Sequence, residues 1–189
     1  MNSLAVYCGS AAGSDPRFAE AARHTGELMA ERGIDLVYGG GRLGLMGIVA
    51  DTVIAGGGRT YGVIPRSLVE LEVAHPQLTE LITVDTMHER KARMTGLADG
   101  FLVLPGGIGT LDEMFEAWTW NALGYHAKPF CLVDIAGYWQ GLTGFLDHVV
   151  GSGFLSPARR DQLLVAATPE EAIERLREAA RAASLRMTW

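Results

Sequence analysis

The sequence predicts an α/β protein with a Rossmann-like, three-layer fold: a mostly parallel sheet of about seven strands with helices on both faces. Three observations carry this. Short apolar, β-branched runs alternate with longer helical patterns along the chain. The runs are nearly continuous in apolar residues rather than alternating, which marks strands covered on both sides. Caps and prolines stand where the helical patterns begin.

The runs are Ser3–Cys8, Asp35–Gly39, Thr60–Pro65, Glu80–Asp85, Gly100–Pro105, Pro129–Asp134 and Gln162–Ala167. The helices between them span roughly 10 to 18 residues, an ordinary globular length. The first opens at Ser14-Asp15-Pro16, a cap followed by a proline whose missing N–H costs nothing at that position. The stretch DTMHERKARMTGLADG starts with Thr86 as cap and Glu89 three residues on. The last helix opens with Thr168-Pro169-Glu170-Glu171, a capping box. No internal repeat, low-complexity tract or linker interrupts the pattern, so residues 1–189 are expected to form one domain. Residues 184–189 are expected to be a loosely held tail unless Trp189 packs on a partner.

A chain of 189 residues, 48% hydrophobic, is long enough for a sizeable core. Its net charge of −6 argues against nucleic acid or an anionic membrane as partner. Cys8 and Cys131 lie in separate strand runs without metal-type spacing, which suits buried thiols in a reducing compartment. The start has no basic leader, and no apolar run approaches the ~18 residues of a membrane span. A cytoplasmic protein is expected. The histidines 24, 75, 88, 126 and 148 show no H-E-x-x-H or three-ligand spacing, so no metal is expected.

In a parallel α/β sheet, ligands bind at the carboxyl ends of the strands. Three such ends are rich in glycine: Cys8-Gly9-Ser10, Gly39-Gly40-Gly41 and Pro105-Gly106-Gly107. Gly39, Gly41 and Gly44 match G-x-G-x-x-G, but after the second strand rather than the first. No acid follows for a ribose; Arg59 stands there instead, which leaves NADP only slightly favoured over NAD. A tight strand–helix turn, or a backbone approach to a nucleotide by Gly40 and Gly41, explains these glycines equally well. Ser10 can meet a phosphate or sugar, or merely form a turn.

The run PGGIGT is more specific. Gly106, Gly107 and Gly109 let the backbone fold around an anion, with the N–H groups of residues 107–110 converging on it. No Lys-Ser/Thr follows, so this is a phosphate cradle without the parts for nucleoside triphosphate hydrolysis. Asp112 and Glu113 then place negative charge in what reads as the first helical turn, with Glu116 beyond. Thr110 and Glu113 have capping-box spacing, one explanation. The other is that Leu111, Met114, Phe115 and Trp118 face the core while Glu113, Glu116 and Trp120 face a ligand.

Cations stand one element earlier. At helical pitch Met87, Arg90, Lys91, Met94, Leu97 and Ala98 share an inward arc, while Glu89 and Arg93 point away. Arg90 and Lys91 either snorkel from the core edge or neutralise a bound anion. On the second reading, phosphate goes to the loop and the carboxylate serves the attached sugar. Cleavage at an anomeric carbon passes through an oxocarbenium-like state that a carboxylate stabilises, and a carboxylate also activates water. The residues thus suggest a hydrolase or transferase for a 5′-phosphorylated nucleoside.

HERKARM, LPGGIGTLDE and TWNALGYHAKP, with YGGGRLGLMG, GVIPRSL and VYCGS, resemble the LOG (Lonely Guy) family of cytokinin riboside 5′-monophosphate phosphoribohydrolases. The likeness runs in order from about Leu4 to Phe154. It implies release of an adenine-type base and ribose 5-phosphate by water, with no metal or cofactor. It maps the catalytic pair onto Arg90 and Glu113, and phosphate contacts onto Gly106, Gly107, Gly109 and Thr110. Ser10, Gly40, Gly41, Met87, Lys91 and Glu116 complete the expected substrate set. It also implies a homodimer with the site near the interface, where Trp118, Trp120 and Tyr125 can contribute. Ile108 replaces a common tyrosine and Ala122 a common glutamine, which bears on base preference. Members are often labelled lysine decarboxylases, but that chemistry needs a Schiff-base lysine, and only Lys91 and Lys128 are present. Two alternatives remain: a nucleotide-binding carrier or sensor, as in molybdenum-cofactor carrier proteins, and a general AMP nucleosidase of salvage.

Overall fold

The computed structural model describes residues 1–69 and 73–186, with backbone alone for 184–186. The seven expected runs form β1 (Ser3–Tyr7), β2 (Asp35–Tyr38), β3 (Thr60–Pro65), β4 (Glu80–Val84), β5 (Phe101–Val103), β6 (Phe130–Val133) and β7 (Leu163–Ala166). They make one sheet in the order β4-β3-β2-β1-β5-β6-β7. Every pairing is parallel.

The helices are α1 (Pro16–Glu31), α2 (Gly44–Ala55), α3 (Met87–Leu97), α4 (Ile108–Ala122), α5 (Gln140–Gly151), α6 (Pro157–Arg160) and α7 (Pro169–Arg186). Alternate strand residues feed two cores, as a strand's two-residue period requires. Leu4, Val6, Leu36, Leu102 and Cys131 pack with α1, α2 and α7. Ala5, Tyr7, Val37, Phe101 and Phe130 pack with α3, α4 and α5. This is the expected three-layer arrangement. Among the described residues, no helix is long and apolar enough to cross a membrane.

α7 continues through Arg186, into the stretch where the tail was expected. Its REAARAASLR run is built from strong helix formers, so nothing local ends the helix at residue 184. Met187–Trp189, and with them any contact by Trp189, lie outside the described residues.

The strand order places the ligand end. β1 is flanked by β2 and β5; the chain leaves β1 toward α1 on one face and leaves β5 toward α4 on the other. A crevice therefore opens between the carboxyl ends of β1 and β5, the switch point of the topology. At this end Gly44 starts α2 with φ +59°, and a Cβ there would lie 2.3 Å from the carbonyl carbon of Ser10. Gly44→Ala is expected to destabilise the fold by about 3 kcal/mol, combining left-handed strain with a backbone clash. Gly33→Ala is the control. Gly33 has φ +62° but nothing within 4 Å of a Cβ, so the loss is expected to be about 1 kcal/mol. Thermal melts of the two variants separate the contributions.

Candidate active site at the β1–β5 crevice

The loop after β5 is built to leave space. Gly107 is the N-cap of α4, in extended backbone, and helical geometry begins at Ile108. A Cβ on Gly106 would sit 2.1 Å from Thr110 Oγ1 and 2.9 Å from the Gly9 nitrogen, so this glycine lets the loop close on β1. The Gly9 N–H donates to Pro105 O at 3.1 Å, stitching the two loops together. Gly107 and Gly109 have nothing within 4 Å of a Cβ position, and packing within the chain does not require them. Their open side faces the helix N-terminus, where amide donors and the dipole favour an anion. Beside this loop lies a cleft of about 270 Å³ lined by exposed Ser10, Gly106, Gly107, Phe18, Leu45 and Tyr138.

Glu113 does not cap α4. Because the helix begins at Ile108, Thr110 is its third residue and Glu113 its sixth, and the first turn holds no acid. The capping explanation thus fails on register: the glycine pair starts the helix before the threonine. The carboxylate lies instead under the strand ends. Burial pushes the Tyr7 hydroxyl and the Cys8 thiol upward in pKa, and the charge of Glu113 adds to both.

Arg90 is 4% exposed, which removes the snorkelling explanation. Thr86 caps α3 by accepting from the Glu89 N–H at 3.1 Å. One turn on, the Arg90 Nη2 donates to the Gly39 carbonyl at 3.0 Å. Its Nη1 approaches Met87 Sδ at 3.9 Å, although Met87 itself is 41% exposed and lies outside the expected inward arc. A Cβ on Gly39 would stand 2.2 Å from Nη2. The first glycine of the G-x-G-x-x-G match makes room for a guanidinium, and Gly44 makes room for the Ser10 loop. No dinucleotide is needed to explain the pattern. Arg59 is elsewhere, paired with Asp35 at 2.8 Å at the amino ends of the strands.

Gly40 and Gly41 reach the same end but are tied to the following segment. The Gly40 carbonyl accepts from the His75 N–H at 2.9 Å, and Gly41 bridges Ala74. His75 is 2% exposed, and its Nε2 lies 2.9 Å from Asp51 Oδ1. In the sequence it is only a histidine before a proline.

Lys91 and Glu116 face each other rather than the loop. Lys91 Nζ bonds Asp112 Oδ2 at 2.9 Å and also Glu116 Oε2. Glu116 Oε1 has His88 Nδ1 at 3.6 Å on its other side. Burial depresses the Lys91 pKa, but the two carboxylates outweigh it and the net direction is upward. The negative charge of Asp112 and Glu116 on α4 is thereby answered by a lysine of α3. Trp118 takes the core-facing position that the helical stripe predicts. At 6% exposed it stacks on the partly buried Phe115. Tyr125, at 75% exposed, is reachable.

Sequence reasoning missed Tyr138, whose hydroxyl donates to the Gly106 carbonyl at 2.6 Å. It follows the end of β6, and applying the strand-end rule to that strand would have found it.

The chain is similar to known proteins over nearly its whole length. A family described as "Possible lysine decarboxylase" matches residues 46–176. The cytokinin riboside 5′-monophosphate phosphoribohydrolase LOG7 of Arabidopsis thaliana is 44% identical, over 93% of this chain and 81% of that protein. The phosphoribohydrolase LOG of Oryza sativa subsp. japonica is 45% identical, over 93% of this chain and 72% of that protein. In fold, the molybdenum cofactor binding protein of Rippkaea orientalis superimposes with TM-score 0.72 at 21% identity, covering 93% and 95% of the two chains. The molybdenum cofactor carrier protein of Chlamydomonas reinhardtii gives TM-score 0.72 at 19% identity, covering 94% and 96%. The two structures share architecture alone at that identity. The sequence relatives match over 93% of the chain at 44% and 45% identity, and the chain belongs to the LOG family of phosphoribohydrolases.

Proposed function

We propose that this protein hydrolyses the N-glycosidic bond of cytokinin riboside 5′-monophosphates, and of AMP, to free base and ribose 5-phosphate. The observation that carries the reading is the placing of a buried guanidinium and a carboxylate at the same strand ends as an open, glycine-lined helix N-terminus. Phosphate binds the amides of residues 107–110. Glu113 then lies about 7.5 Å along α4 from the first helical residue, at ~1.5 Å per residue, within reach of an attached ribose. It stabilises positive charge on the anomeric carbon and takes a proton from the attacking water. Arg90 orients the nucleotide and steadies the departing base. The names carried by the relatives support the same substrate class.

Neither lysine suits a Schiff base. Lys91 is held by two carboxylates with its pKa raised, whereas a nucleophilic lysine needs it lowered. Lys128 is shifted downward by burial, but it precedes β6 at the opposite end of the sheet and donates to the Thr95 carbonyl.

The working unit is a homodimer in the cytoplasm. Ile108 at 85%, Phe154 at 88% and Phe145 at 61% exposed are apolar surface that a second copy would cover. Both cysteines are buried and unbridged, as suits a reducing compartment.

Purified protein is to be incubated with isopentenyladenosine 5′-monophosphate, AMP and the unphosphorylated riboside, with free base and ribose 5-phosphate measured. Base is expected from both monophosphates and not from the riboside. Saturable AMP binding without release would replace the hydrolase with a carrier or sensor.

A further inference from the structure

The phosphate loop contains a peptide that its own residues do not hold. The Gly106–Gly107 unit joins two residues without side chains, and such a peptide rotates at little steric cost. An anion-binding N–H must nevertheless point one way before the anion arrives. Tyr138 supplies an external restraint through its 2.6 Å hydrogen bond to the Gly106 carbonyl. In a trans peptide the C=O and the following N–H are antiparallel. A hydroxyl anchoring the Gly106 carbonyl on one side therefore turns the Gly107 N–H to the other. Withdrawing electron density through the carbonyl also strengthens that N–H as a donor.

The turn that presents Tyr138 is held at a cost. Ala136 has φ +57°, a left-handed conformation that a Cβ disfavours, and Gly137 follows at +76°. Asp134 Oδ1 closes the turn by accepting from the Trp139 N–H at 2.6 Å. Phe18 and Trp139 fix the tyrosine ring edge-on, at centroid distances of 5.5 and 4.8 Å. The ring itself remains 42% exposed, so core packing does not account for this arrangement. Strain beside a functional loop, aimed at one carbonyl, calls for a role at that carbonyl.

We propose that Tyr138 is a positioning residue that fixes the Gly106–Gly107 peptide with its N–H turned toward the substrate phosphate. The proposal rests on the phosphate-loop reading above but not on the hydrolytic step.

The test is Tyr138→Phe, which keeps the ring and removes only the hydroxyl. Inorganic phosphate, ribose 5-phosphate, AMP and adenosine are titrated against wild-type and variant protein by calorimetry, and AMP turnover is followed in parallel. Loss of one such hydrogen bond is expected to weaken phosphate, ribose 5-phosphate and AMP each by about fivefold. Adenosine affinity is expected to hold, and the loss in kcat/KM for AMP is expected to be carried by KM. A merely structural role would weaken adenosine equally, and that result overturns the proposal. So does unchanged phosphate affinity in the variant, or a wild-type protein that binds no phosphate. If the wild type binds phosphate but releases no base from AMP, the hydrolase reading fails, while the phosphate titration still decides the role of Tyr138.

Discussion

Glu113→Gln is expected to lower kcat for AMP by about 10³-fold while leaving the dissociation constant for AMP within a few-fold of wild type. The substitution keeps the size of the side chain and removes both its charge and its capacity to accept a proton from water. Glu113 sits in the second turn of α4, past the first turn, where we propose that the phosphate binds, so binding of the phosphate is not its task in this reading. Stability offers a second readout. A capping glutamate would cost helix stability on replacement, but the N-cap here is Gly107 and no side chain caps α4. The melting temperature of Glu113→Gln is therefore expected to stay within a few degrees of wild type. Near-normal turnover in a folded variant would end the catalytic assignment.

Arg90→Ala is expected to reduce kcat/KM for AMP by about 10²-fold and also to destabilise the fold. The two effects have separate origins. Removing the guanidinium orphans the Gly39 carbonyl, which accepts from Nη2 at 3.0 Å. An orphaned acceptor in a buried site costs about 2 kcal/mol. In a protein of this size that is roughly a 6 °C drop in melting temperature. Arg90→Lys separates the origins, because it retains a charge but loses the planar fork. Its activity is expected to remain low even where its stability recovers. Full activity per folded molecule in Arg90→Ala would reduce the residue to a structural tether.

The strands were legible in the sequence because burial on both faces forces near-continuous apolar runs, and nothing else in a chain of this composition writes them. α1, α3 and α7 were legible through Asp15, Thr86 and Thr168, side chains whose chemistry marks a helix start. α4 was misread by one turn because glycine caps with its backbone, leaving Thr110 and Glu113 to imitate a capping box three residues late. The inward placing of Arg90 followed from helical periodicity, but its partner Gly39 did not, since that contact crosses 51 residues of sequence. The pairing of Lys91 with Asp112 and Glu116 was hidden in the same way. Opposite charges on separate elements read as two ligand groups until the fold shows them neutralising each other. Tyr138 was missed because the strand-end rule was applied only to the glycine-rich ends, and a hydroxyl bonded to a backbone carbonyl adds no signature in side-chain spacing.

The central strand also dictates when the catalytic crevice can exist. β1 pairs with β2 through residues such as Ala5 and Val37, but its other edge pairs with β5, where Ala5 meets Phe101. On a ribosome, β1 to β4 emerge and can associate while that second edge still exposes a row of unpaired amides. Closing it means joining segments nearly a hundred residues apart, the kind of distant contact that slows folding and leaves an adhesive margin open meanwhile. Glu113, the proposed catalytic carboxylate, emerges only after β5, so on that assignment synthesis must pass the adhesive stage before any nucleotide can be cleaved. Premature release of the chain would yield a sticky half-sheet with no activity, never a weakened enzyme.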